Sequence, residues 1–294
     1  MTAEPRISVI TPTFNRAQYL AQAIESVLAQ NYVNLEHWII DDGSTDGTET
    51  VVARYLDDPR VHYVRQGNQG QSAARNRGLS LSESDFVCFL DSDDYWLPGK
   101  LERSLAAFAS NPDVGIVYGD YVFINSAGRE VAVSNMRRHS GRIVAQLLRD
   151  NCVSMNTTMV RRRCFEEHGG FSEYRVADDY DLWLRFSAYY RFFYVPERLA
   201  CYRMMEDQIS SDKMARFESN ERIIRRFLEA HGDRVTTSEA RAGWCYFHTR
   251  RGRYLASRGM TLQAAGAYGR ALAYGPFSRA PWRALAKLVL TGTG

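Results

Sequence analysis

A chain of 294 residues with 45% apolar and 24% charged residues has the composition of a soluble globular protein with room for a well-buried core. Its net charge of +3 is too small to argue for nucleic acid, although it suits anionic ligands or a weak preference for an anionic membrane surface. Five scattered cysteines without a CxxC pair, and six histidines without ligand spacing, argue against a disulfide framework or a zinc site. The stretch 1–6 is short and polar, and no apolar run is long enough to span a bilayer. A cytoplasmic protein is the expectation.

In chain order, Ile7 to Ile10 reads as a buried strand, and after the Pro12 turn Leu20, Ile24, Val27 and Leu28 recur at helical spacing. Leu35 to Ile40 predicts a second strand, followed by a Gly/Ser/Thr/Asp turn and a helix reaching about Leu56. Val61 to Val64 predicts a third strand and Ser72 to Leu79 a helix. Phe86 to Leu90 is apolar throughout, as a central parallel strand would be. Repeated strand–helix units imply an α/β sandwich with a mostly parallel sheet, in which ligands bind beyond the carboxyl ends of the strands.

From Val114 the pattern changes. Val117 to Ile124 and Val131 to Val133, joined through Ser126-Ala127-Gly128, predict a hairpin. A strand near Asn156 to Val160, a helix near Asp179 to Tyr189 and short strands near Phe192 to Tyr194 and Leu199 to Arg203 follow. Beyond about Lys213 the chain reads as helix only. Within that region Ala264 to Leu272, with Pro276 beyond, resembles the second helix of a tetratricopeptide-type hairpin; one or two such units are too few for a solenoid. The expected organisation is residues 1–212 as a catalytic domain and 213–294 as a helical appendage.

Asp91-Ser92-Asp93-Asp94 directly follows the fourth strand, so the sheet aims it into the ligand crevice. Two carboxylates at i and i+2 suit Mg²⁺ or Mn²⁺, which take oxygen ligands and keep places for phosphate and water. Alone, the run reads equally well as an acidic turn capping a helix near Pro98. Asp41-Asp42-Gly43-Ser44-Thr45-Asp46 ends the second strand in the same way. A carboxylate there would accept from a base N–H or a ribose hydroxyl, while Ser44 or Asp46 would cap the next helix. Arg75 sits one turn into the helix opened by Asn68-Gln69-Gly70, a place suited to phosphate or to an ion pair with a nearby Asp.

The segments 7–16 (ISVITPTFNR), 39–48 (IIDDGSTDGT), 68–78 (NQGQSAARNRG) and 89–98 (FLDSDDYWLP), in this order, resemble glycosyltransferase family 2. The resemblance covers roughly residues 5–210. It implies a GT-A fold and inverting transfer from a nucleoside diphosphate sugar, expected to be UDP-linked. By position, Thr11, Pro12, Asp41 and Asp42 would contact the nucleotide and Arg75 would lie near the base or phosphates. Asp91, Ser92 and Asp93 would face the donor, with Asp91 and Asp93 holding Mn²⁺ or Mg²⁺. The segment 177–185 (ADDYDLWLR) looks like the family's acceptor-side motif, which implies Asp179 as the base; Asp178 stands where Glu is usual. Inversion by one displacement needs such a base opposite the leaving group, and clustered carboxylates raise one another's pKa toward neutrality. The histidine that many relatives carry after the Tyr202-Arg203 pair is missing: either that ligand is absent or Glu206 or Asp207 replaces it, and the departure implies metal dependence weaker than in typical members.

Arg137-Arg138 and Arg161-Arg162-Arg163 read as solvated loops. The stretch 277–290 mixes Trp282, Arg283 and Lys287 with apolar residues, as either a packed helix or a peripheral contact with the inner face of the membrane would. The expected partners are a nucleotide-sugar donor and a glycan or lipid-linked acceptor, in polysaccharide or lipopolysaccharide synthesis. No glycine lies in 11–16, against both a nucleotidyltransferase loop and the dinucleotide fingerprint. A non-catalytic nucleotide-sugar-binding or partner-recruiting module on the same fold is the alternative.

Overall fold

The computed structural model describes residues 4–174, 176–205 and 212–291. β1 (Ile7–Thr13) is buried along its whole length because it pairs in parallel on both sides, with β2 (Leu35–Asp41) and β4 (Phe86–Phe89). β3 (Val61–Arg65) extends the same parallel array beyond β2. Such strands lie between two helical layers, which is why their sequences are apolar on both faces. The connecting helices bury one stripe each. In α1 (Ala17–Leu28) it is Leu20, Ala23, Ile24 and Val27, the i, i+3, i+4, i+7 set of an amphipathic helix. The short α2 (Thr48–Ala53) and α3 (Gln71–Leu81) complete this half. α3 lies so close to β1 that a Cβ on Gly78 would fall 2.5 Å from a methyl of Ile10, so the crossing requires glycine.

The second half adds strands of mixed direction. After β5 (Tyr95–Trp96) and α4 (Lys100–Ser110), β6 (Val114–Ile124) forms the predicted hairpin with β7 (Glu130–Val133). β8 (Met159–Arg161) joins β4 to β6 antiparallel to both, and β9 (Arg191–Arg203) runs parallel to β6 and antiparallel to β5. The sheet order is β3-β2-β1-β4-β8-β6-β9-β5. Two expectations change. The two short strands near 192–194 and 199–203 are one strand, in which Pro196 sits where the β6 register shifts and its missing N–H costs no ladder bond. The strand expected from Asn156 begins only at Met159, because 155–157 form a 3₁₀ turn. Short helices α5 (Val144–Leu147) and α6 (Arg162–His168) precede α7 (Asp178–Ser187).

Four helices follow: α8 (Lys213–His231), α9 (Thr237–Ser257), α10 (Thr261–Tyr274) and α11 (Arg279–Thr291). Asp212 caps α8 by accepting from the N–H groups of Met214 and Ala215, and Thr236 with Glu239 forms a capping box on α9. Ile223, Phe227, Trp244 and Phe247 share one hydrophobic core with Ile10, Val87 and Trp183, so the core is continuous across residue 212. Only the end of α9 with α10 and α11 has a cluster of its own, built on Leu255, Ala264, Tyr268 and Leu288. All five cysteines are buried and unpaired, and no helix among the described residues is long and apolar enough to cross a membrane.

Candidate active site

The carboxyl ends of β1, β2 and β4 form one rim, as the order of a parallel sheet dictates. At the end of β4 the side chains alternate: Ser92 and Asp94 turn into the protein while Asp91 and Asp93 remain partly accessible. Four contacts fix this loop. Asn156 accepts from the Asp91 N–H at 2.9 Å and donates its amide to Asp94. Arg203 gives its backbone N–H to Asp94 at 2.7 Å and its Nε to the Asp93 carbonyl at 2.8 Å. Burial, with the charges of Asp93 and Asp91, raises the Asp94 pKa well above its ordinary value, and both its oxygens are occupied by Arg203 and Asn156, which gives it a structural role.

Burial and the charge of Asp91 push Asp93 up to about 6, against the opposing pull of Arg16, whose Nε lies 3.7 Å away. A carboxylate whose ionisation is disfavoured by burial and by a neighbouring carboxylate is a donor that a divalent cation would relieve. Asp91 commits only Oδ1 to Arg75, at 2.7 Å. Among the described residues no group of three or more His, Cys, Asp or Glu is placed for a metal. Asp91 and Asp93 alone would fit an ion that draws its remaining ligands from phosphate and water.

Arg75 is almost fully buried on α3. Its Nη2 meets Asp91 and its Nη1 meets Asp178 Oδ2, each at 2.7 Å. Burial pulls its pKa down, but the charges of Asp178 and Asp91 outweigh that and raise it. The ion-pair alternative considered for Arg75 is thus realised twice over. Asp178 also accepts from Ser72 Oγ at 3.0 Å and from the Asp179 N–H at 3.0 Å, which leaves it an anchor. Asp179 accepts from Asn151 Nδ2 at 2.9 Å, and burial together with Asp178 raises its pKa. Ala177, just ahead of this pair, holds a left-handed conformation at φ 66°, an uncommon conformation for a residue with a Cβ.

The residues expected on the nucleotide side are more occupied than the sequence suggests. Asp41 accepts from the Ser44 N–H at 2.8 Å and from Tyr63 Oη at 2.7 Å. Asp42 accepts from Gln66 Nε2 and from the N–H groups of Gln69 and Gly70, at 2.7–2.9 Å. Asp42 thereby ties the loop before α3 to the rim. Thr11 is buried with its hydroxyl 2.8 Å from His37 Nε2, and Pro12 beside it is buried too. Asp46 accepts from the N–H groups of Ala17 and Thr48, serving the first turns of α1 and α2 together. Glu206 and Asp207 lie outside the described residues. Asn151, Asn156 and Arg203 escape sequence reading as site residues; only the Tyr202-Arg203 pair gives a signal.

A parallel sheet whose rim carries paired accessible carboxylates, facing a second acidic helix start across one buried arginine, defines a glycosyltransferase of the GT-A class. The chain belongs to glycosyl transferase family 2, whose model matches residues 8–169. It is 33% identical over 181 residues to an uncharacterized glycosyltransferase of Rickettsia felis, covering 62% of this chain and 30% of that relative, so it spans under a third of the relative's length. It is 29% identical over 252 residues to the putative teichuronic acid biosynthesis glycosyltransferase TuaG of Bacillus subtilis, covering 83% of this chain and 94% of TuaG. Among solved structures it resembles S. aureus TarS 1-349 in complex with UDP-GlcNAc, with a TM-score of 0.70, 20% identity, and coverage of 96% and 85%. It also resembles the mannosyltransferase PcManGT from Pyrobaculum calidifontis in complex with GDP-Man and Mn²⁺, with a TM-score of 0.63, 19% identity, and coverage of 98% and 81%.

Proposed function

We propose that this glycosyltransferase moves a sugar from a UDP-linked donor to a hydroxyl of a growing surface glycan, with inversion, using Asp179 as base. The observation that carries the proposal is the single guanidinium of Arg75, which holds Asp91 on the donor rim and Asp178 on the acceptor helix at 2.7 Å each. One buried cation thus brings the rim beyond β4 and the start of α7 to opposite sides of the same guanidinium. The partly accessible carboxyl of Asp179 takes the proton of the acceptor hydroxyl as the acceptor oxygen attacks the anomeric carbon. The bond to the diphosphate breaks on the opposite face, which inverts the centre. Asp91 and Asp93 would hold Mn²⁺ or Mg²⁺, which supplies charge neutralisation of the departing diphosphate. Arg75 and Asn151 hold the two acidic segments in register throughout.

UDP is preferred because TarS binds UDP-GlcNAc and offers the highest TM-score of the structures described, and a surface-polysaccharide acceptor follows the likeness to TuaG. The test is a panel of UDP-, GDP- and TDP-sugars with and without Mn²⁺, with the anomeric configuration of product read by NMR. Transfer with inversion that is lost in Asp179→Asn supports the reading. Retention of configuration, or full turnover in that variant, overturns it.

A further inference from the structure

The helical end of the chain carries a charge pattern unlike the rest. Residues 240–294 contain nine Arg and Lys and not one Asp or Glu, in a chain of net charge +3, so residues 1–239 carry −6. Arg250 and Arg251 pair back onto Asp150 and Glu221. Arg253, Arg258, Arg270, Arg279 and Arg283 are exposed and form no ion pair among the described residues. Two open grooves of about 770 and 590 Å³ adjoin at Arg253 and Ala280; Arg149 and Arg241 line the first, Arg279 and Arg283 the second.

Exposed apolar side chains stand among these cations. Pro281 and Leu288 of α11 turn inward, which sends Trp282, Val289 and Leu290 outward together with Arg279 and Arg283. Val289 is 78% and Leu290 84% exposed, and Phe277, in the turn before α11, is 96% exposed. Trp282 Nε1 donates to the Pro276 carbonyl at 2.8 Å, which clasps the turn that presents Phe277. Guanidinium groups interleaved with an aromatic and aliphatic fringe are complementary to a surface that is anionic outside and apolar just beneath. A soluble polyanion would engage the arginines but leave Phe277 and Leu290 in water. A second copy would bring the same positive charge against itself.

We infer that α9–α11 form a docking surface for an anionic phospholipid bilayer, with Arg253, Arg279 and Arg283 on the headgroups and Phe277 and Trp282 in the interface. The experiment is co-sedimentation of the full chain with vesicles of phosphatidylcholine alone and of phosphatidylcholine with an equal part of phosphatidylglycerol. Binding is expected to the anionic vesicles only, weakening as salt rises. The triple variant Arg253→Gln/Arg279→Gln/Arg283→Gln should lose on the order of a hundred-fold in partition, about five-fold per cation. Phe277→Ser should weaken binding while leaving its salt dependence unchanged. These side chains are exposed, so donor-induced thermal shift should stay at the parent value and report an intact fold. Equal binding to neutral vesicles, no vesicle binding, undiminished binding by the triple variant, or retention on heparin without vesicle binding would each overturn the inference.

Discussion

Arg75 and Asp178, 103 positions apart in the chain, meet at 2.7 Å, and the other arm of the same guanidinium meets Asp91 at the same distance. A lysine offers one compact ammonium and no fork. Arg75→Lys should therefore keep one contact, lose the other, and reduce transfer by roughly 10- to 100-fold through misplacement. Arg75→Ala would leave both carboxylates without their cation and cost about 3–5 kcal/mol of stability. Denaturant midpoints and turnover, measured on both variants, separate the two effects.

Asp179→Asn should cut turnover by about 10²–10⁴-fold while donor affinity changes little, since the base acts on the acceptor. Asn151→Ala makes a subtler prediction. The amide of Asn151 favours the ionised carboxylate, so removing it raises the Asp179 pKa, and the acidic limb of the pH–rate profile moves to higher pH. An unshifted limb would show that Asn151 is only packing.

Asp93 carries a cost that should be visible in stability. Burial and the charge of Asp91 raise its carboxyl to about 6, so between the unfolded value and 6 the folded protein binds the extra proton. Stability is present below the unfolded pKa and falls as pH rises through that window. Asp93→Asn should stabilise the metal-free protein at pH 7 by up to about 3 kcal/mol while abolishing Mn²⁺-dependent donor binding. For the parent, Mn²⁺ affinity should decline below pH 6, because cation and proton compete for one carboxylate. Thermal melts and calorimetry across pH 5–8 (about the useful span for this group) check both signs.

His37 works in the opposite sense. Full burial, with a smaller push from His62, lowers its pKa to about 3, so acid protonates it readily only in the unfolded chain. Stability is then lost as pH falls from the free value of about 6.5 toward 3. His37→Gln, which retains a partner for Thr11, should move the acid-unfolding midpoint to lower pH, followed by circular dichroism.

Gly78→Ala should destabilise by about 1–3 kcal/mol, because the new methyl meets Ile10 at 2.5 Å between α3 and β1. The double variant with Ile10→Val should recover part of that loss in a chemical denaturation series.

The parallel half of the sheet was legible because four apolar runs alternate with amphipathic ones, and the Asp91/Asp93 pair because a strand end aims alternate residues at the crevice. Asp42 shows where such reading stops. A carboxylate at a strand end serves ligand and neighbouring N–H groups equally well, and the donors that occupy it come from residues 66–70, beyond any local pattern. Asn156 was invisible for a related reason. It acts from a 3₁₀ turn with no periodicity, and its partners lie 62 and 65 positions earlier. Arg75 could be read as phosphate ligand or ion-pair partner, and only the approach of α7 to α3 decides what its fork holds.

The bond from the Arg203 N–H to Asp94 spans 109 positions and has a bearing on biosynthesis. The parallel strands β1 to β4 leave the ribosome first, yet the last residue of β9 completes the clasp on their rim. At 5–20 residues per second the rim waits roughly 5–20 s for that clasp. A nascent chain shorter than this holds its carboxylates with the Asn156 contacts alone, and the rim takes its final geometry only when β9 is complete.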